Sequence, residues 1–103
     1  MFILSEIDLS AADIELFEAF EMAVLPRLAI YGARLESRLR SVDQTRELHI
    51  LYFPDSDHLS QYINDPVRQE EMQRWKACGA RSSTTEVISM HPRSLFSEDL
   101  VDE

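Results

Sequence analysis

Glycine is nearly absent from this chain. There are two glycines among 103 residues, with four prolines and one cysteine. So little of either breaker excludes extended linkers and low-complexity tracts, and no internal repeat is visible. The one cysteine, Cys78, cannot form an internal disulfide, which points to a reducing cytoplasm. Positive charge is scarce as well. Ten Lys and Arg stand against nineteen Asp and Glu, a formal net charge of -9. A field of that sign repels phosphate backbones and anionic lipid surfaces, so neither nucleic acid nor a membrane is an expected partner. The opening "MFILSEIDL" is apolar, but Glu6 and Asp8 cut it short and no basic leader precedes it. It reads neither as a signal peptide nor as a membrane span. Glycine-rich phosphate loops, nucleophile elbows and zinc spacings are missing too, so no metal site is expected.

What the chain does have is clear patterning. Apolar residues make up 45%, ordinary for a globular protein. The length suits one domain with little spare core, which a second subunit would supplement. The expected domain covers residues 1–91, followed by an acidic tail over 92–103 in which Leu95 and Phe96 are candidate anchors.

"FILSEI" (2–7) reads as a first strand, with Ile3, Ser5 and Ile7 on one face. Ser10 is the expected N-cap of the following helix, with Asp13 as its capping-box partner and Leu9 and Ile14 as a staple. Ile14, Phe17, Phe20, Val24 and Leu28 give that helix an apolar stripe, and Glu15, Glu18 and Glu21 fall mainly on the other side. Pro26 should end the regular helix near Val24–Leu25, and Gly32 should close the element. "ARLESRLRS" (33–41) and "RELHILYF" (46–53) alternate as paired strands around the loop "VDQT". In that register Ser41 opposes Arg46 and Arg38 opposes His49. Leu35, Leu39, Leu48, Ile50 and Tyr52 then share one face. Arg34, Glu36, Arg38, His49, Leu51 and Phe53 share the other, which is expected to lie away from the helices. A second helical region starts near Asp55, and Asp65-Pro66 restarts it. It ends at Gly79, and "TTEVISM" (84–90) reads as the last strand.

The order strand, helix, strand, strand, helix, strand with both helices on one sheet face is a ferredoxin-like α+β unit. One sheet face stays uncovered, with Leu51 and Phe53 expected on it. A homodimer built through that face would hide them.

Two segments carry a resemblance. "LPRLAIYGARLESRLR" and "HILYFPDSDHLSQYINDPVRQEEMQRW" resemble the second-strand and third-strand-plus-broken-helix segments of dimeric α+β barrel proteins. The likeness covers roughly residues 1–90 and is closest to small bacterial members of unknown function. Antibiotic-biosynthesis-type and haem-degrading monooxygenases stand further off. The resemblance implies a dimeric barrel and a structural role for Asp65-Pro66. It also implies cofactor-free oxidation or isomerisation of a small organic molecule, with a non-catalytic binding module as the alternative. Haem-degrading relatives pair an aromatic with a histidine further along this helix and an asparagine on the first strand. Here Tyr62 matches the aromatic, Met72 replaces the histidine, and "FILSEI" has no asparagine.

His49, between Arg38 and Glu36, is the candidate acid–base group. The bland alternative is an interface histidine satisfied by Glu36. Arg34 and Arg38, with Arg40 beside them, are candidates for holding a ligand carboxylate, or for pairing with Glu36, Glu47 and Glu86 across strands. Tyr62 and Trp75 line a ligand pocket or fill core. Cys78 lacks the positive field that activates a thiol, and His58 and His91 read as solvent-facing.

Overall fold

The computed structural model describes residues 1–90. The expected acidic tail and His91 lie outside the described residues. Strand β1 (Phe2–Asp8) leads into helix α1 (Ile14–Val24), which tightens into a 3-10 segment (Leu25–Tyr31). The hairpin of β2 (Arg34–Arg40) and β3 (Arg46–Tyr52) follows. Helices α2 (Ser56–Ile63) and α3 (Pro66–Cys78) come next, and β4 (Arg81–Val87) ends the domain. The strands form one antiparallel sheet in the order β2-β3-β1-β4. With the helices packed on one face, this is the ferredoxin-like β-α-β-β-α-β arrangement.

The local signals explain most boundaries. Pro26 lacks the N–H that an α-helix needs, and α1 stops two residues before it. Gly32 closes the 3-10 segment at φ 67, in the left-handed region that favours glycine. Asp55 and Asp65 cap α2 and α3, accepting from His58 N and Arg68 N. The expected Ser10 cap is corrected: Asp13 caps α1, its carboxylate accepting from Leu16 N at 3.2 Å. A carboxylate also complements the helix dipole, which a hydroxyl does not. Ser10 instead donates its N–H to Asp8 Oδ1 at 2.9 Å in the turn.

The last strand lies three residues earlier than "TTEVISM" suggests. β4 pairs residue for residue with β1, from Phe2 opposite Val87 to Asp8 opposite Arg81. Its polar run "RSSTTEV" has no buried face to give it alternation, because it is an edge strand exposed on both sides.

The hairpin register holds near the turn, with Ser41 N donating to Arg46 O at 2.9 Å and Arg38 opposite His49. A bulge between Leu35 and Ser37 then sets Leu35 opposite Leu51 and Arg34 opposite Tyr52. Leu35 thus joins the His49 face, and Arg34 leaves it.

The helices cover the opposite face from the one expected. Ile3, Ser5, Ile7, Glu47, His49 and Phe53 are buried beneath them, and Phe53 is 0% exposed. The reason is β1. Its register with β3 puts Ile3, Ser5 and Ile7 beside Leu51, His49 and Glu47. Ile3 and Phe53 pack with Leu28 and Tyr62, while Ile7 packs with Phe17. The Leu4–Leu48–Ile50–Tyr52 side is left as the open face, with those residues half-buried.

Candidate functional site

Between the covered sheet face and the helices lies a cavity of about 320 Å³. That is near the low end of ligand pockets. Phe20, Leu51, Leu59, Ile63, Met72 and Trp75 supply much of its apolar wall. The helices bring the aromatics together: Trp75 of α3 lies 5.1 Å from Phe20 of α1, and Tyr62 of α2 lies 5.7 Å from Phe53, ring centre to ring centre. Tyr62 donates its hydroxyl to Val24 O at 3.1 Å, and burial pushes its pKa up to about 12. It is fixed and un-ionised, a wall residue with its polar end already used.

Other polar groups reach the same space: Ser5 and His49 from the sheet, Glu21 from α1, Arg68 from α3, Ser82 and Thr84 from β4. His49 is 3% exposed, and its Nε2 lies 2.5 Å from Glu47 Oε2. Burial alone would raise the Glu47 carboxyl, but hydrogen bonds from Arg38, His49 and Arg40 outweigh it and hold the group below its ordinary value. Arg38 Nε and Arg40 Nε each donate to Glu47 at 2.8 Å. Glu18 binds the outer ends of both guanidiniums. Two carboxylates and two guanidiniums thus form a neutral set, which is how charge is tolerated beneath the helices.

An ionised carboxylate only accepts, so His49 Nε2 carries the hydrogen and donates it to Glu47. Burial, opposed by Glu47, lowers the His49 pKa from its ordinary 6.5. The ring is therefore neutral at pH 7, with Nδ1 bearing the lone pair. No polar atom of the described residues binds Nδ1. Every fully occluded side-chain nitrogen or oxygen among them has a partner, so Nδ1 borders the cavity. An imidazole oriented by a buried carboxylate, with its free nitrogen on a cavity, has the form of a general base.

The candidate residues separate. His49, Tyr62 and Trp75 share the cavity, and Arg38 stands behind His49 through Glu47. Arg34 and Glu36 pair with each other, and Arg34 stacks on Tyr52 at 4.1 Å on the open face. The bulge takes them from the site. The bland reading is corrected as well, since Glu47 rather than Glu36 satisfies His49. Glu21 and Arg68 went unread. Glu21 lies four residues after Phe17 and three before Val24, inside the apolar stripe, and that spacing was its signal.

Among the described residues no cluster of His, Cys, Asp and Glu is arranged to hold a metal, and no helix is long and apolar enough to cross a membrane. No protein-family model matches the chain, and no curated protein does. Solved structures do. A NIPSNAP domain protein from Burkholderia xenovorans superposes with a TM-score of 0.62 at 16% identity, covering 89% of this chain and 99% of that one. The cofactor-independent oxygenase SnoaB from Streptomyces nogalater gives 0.67 at 15% identity, covering 88% and 95%. A proposed antibiotic biosynthesis monooxygenase from Nitrosomonas europaea gives 0.59 at 11% identity, covering 86% and 100%. At such identities the likeness establishes a shared fold, that of the antibiotic-biosynthesis-monooxygenase and NIPSNAP proteins.

Proposed function

We propose that this protein binds a small, mostly apolar organic molecule between sheet and helices and transforms it by acid–base chemistry without a cofactor. His49 removes a proton from the bound molecule. Loss of a proton is a first step open to both isomerisation and cofactor-free oxygenation. The observation that carries the reading is the His49–Glu47 pair on the wall of the 320 Å³ cavity. A buried histidine that merely filled core would have no reason to present Nδ1 to open space. SnoaB, which shares this fold, is a cofactor-independent oxygenase, and that supports the cofactor-free form.

The working form is a homodimer joined through the open sheet face, and the compartment is the reducing cytoplasm that one buried cysteine, Cys78, suits. Trp75 is the only tryptophan and lines the cavity, so its fluorescence reports occupancy. Screening aromatic ketones and phenols by thermal shift and Trp75 quenching should yield ligands that raise apparent stability. His49→Gln should keep binding and lose turnover. Ligands that bind but are unchanged by the wild-type protein would favour a non-catalytic binding module instead.

A further inference from the structure

Glu21 is the least explained side chain in the protein. It lies in the last turn of α1 and is 4% exposed. Glu18 and Glu47 bind arginines, and Asp65 binds Arg27. Among the described residues no side chain hydrogen-bonds or pairs with the Glu21 carboxyl. Because every fully occluded side-chain oxygen among them has a partner, the Glu21 oxygens border the cavity they help to line. A buried carboxyl left without a partner is costly in any protein. It is kept where a ligand completes it.

We propose that Glu21 is the proton donor to a ligand carbonyl oxygen, and that the cavity takes flat carbonyl compounds with an acidic C–H or O–H next to that carbonyl. This rests on His49 acting as the base. The two groups reach the cavity from opposite layers, His49 from β3 and Glu21 from α1. A planar molecule held among Phe20, Trp75 and Tyr62 is then addressed from both sides. In the step itself the C–H bond breaks and its proton goes to His49 Nδ1. The electron pair forms the C=C bond of an enol, the carbonyl π pair moves onto oxygen, and that oxygen takes the proton of Glu21. As the carbonyl re-forms, the enol O–H proton returns to Glu21 and His49 gives a proton back to carbon. Return to the far end of a conjugated C=C completes an isomerisation. Return to the same carbon, after His49 has traded its proton with solvent, exchanges the hydrogen. No oxidant or reductant is consumed.

Electrostatics agrees with the geometry. Burial raises the Glu21 pKa from 4.5 to about 7. Arg38 and Arg68 oppose the rise, and Glu47 and Glu18 add to it. Glu21 thus keeps its proton under conditions where His49 has lost its own, the separation that assigns acid and base.

The probe is 2-tetralone, an enolisable ketone fused to one aromatic ring, with tetralin as the carbonyl-free control. Hydrogen exchange next to the carbonyl is followed by NMR in D2O, and binding by Trp75 fluorescence. The wild-type protein should accelerate exchange, with the rate falling as pH rises through about 7. Glu21→Leu should reduce the rate by about 100-fold, the usual weight of a general acid. Glu21→Gln, which still donates a hydrogen bond but transfers no proton, should lie between and lose the alkaline fall. Both variants should fold, since each removes an unfavourably buried acid. Exchange that depends on His49 but is unchanged in both Glu21 variants overturns the role of Glu21 and leaves His49 as base. No acceleration by wild-type protein overturns both.

Discussion

Asp65 holds Arg27 through both carboxylate oxygens, at 3.1 Å from Nε and 2.8 Å from Nη2. Tyr31 adds its hydroxyl at 2.5 Å, and Asp65 also caps α3 through Arg68 N. One buried carboxylate therefore ties the 3-10 segment to the α2–α3 junction, and the Asp-Pro break in the helix is structural. Asp65→Ala removes the cap and the partly exposed Arg27 pair, and is expected to cost about 1 to 2 kcal/mol, mostly from the cap. Urea unfolding should show a lower midpoint with the slope unchanged.

The same residue sets an acid limit. Arg27 above all holds the Asp65 carboxyl well below the usual carboxylate range, against the effect of burial. A lowered native pKa adds stability that is complete above the unfolded value, about 4, and is lost as pH falls below it. The wild-type protein should therefore lose stability below about pH 4 more steeply than Asp65→Ala, whose urea midpoint should vary less over that range.

Glu21 acts in the other direction. Its pKa is raised in the native state, so its neutral form favours folding, and stability is lost as pH climbs from 4.5 to about 7. That interval corresponds to about 3 kcal/mol. Glu21→Gln should be more stable than wild type by up to that amount at pH 8 and equal to it at pH 4. Equal stability of the two proteins at pH 8 would contradict the burial.

Arg38 sits opposite His49 and depresses its pKa, though less than burial does. Arg38→Leu should raise the His49 titration midpoint, read from its ring protons by NMR. An unchanged midpoint would mean that the two residues are not coupled through the Glu47 cluster.

The open sheet face carries Phe2, Leu4, Leu48, Ile50 and Tyr52, with Leu39 61% exposed at its edge. Sedimentation at micromolar concentration should find a dimer, and Ile50→Arg a monomer with its native fold intact. A monomeric wild-type protein would end the proposal of an interface there.

The elements were legible because their punctuation is local. Pro26, Gly32, Asp55, Asp65-Pro66 and Gly79 each act within a few residues, and the four-residue loop brings Arg38 opposite His49. Which face the helices cover was not legible. Alternation in β3 separates Leu48, Ile50 and Tyr52 from Glu47, His49 and Leu51, and the first set looks more like core. The decision belongs to β1, whose Ile3 and Ile7 share a side with His49, and to charge pairs formed only once β2, β3 and α1 meet. The bulge hid itself for a similar reason, since "RLESR" alternates without a break. Glu21 was legible in its spacing, but its charge argued the other way, and the cavity that accepts it is a property of three helices and a sheet.

The β2 bulge has a consequence for the gene as well as the protein. Leu35 pairs with Leu51 and Ser37 with Ile50, so Glu36 is the one residue between them with no partner across the strand. Deleting it would let Leu35 and Arg34 keep their present partners, with the ladder now regular. Loss of Leu39 or Arg40 would instead move Arg38 from its place opposite His49 to one opposite Leu48, on the open face. Among codon deletions in this strand, the one at Glu36 should thus be tolerated best, at the cost of the extra twist the bulge imparts.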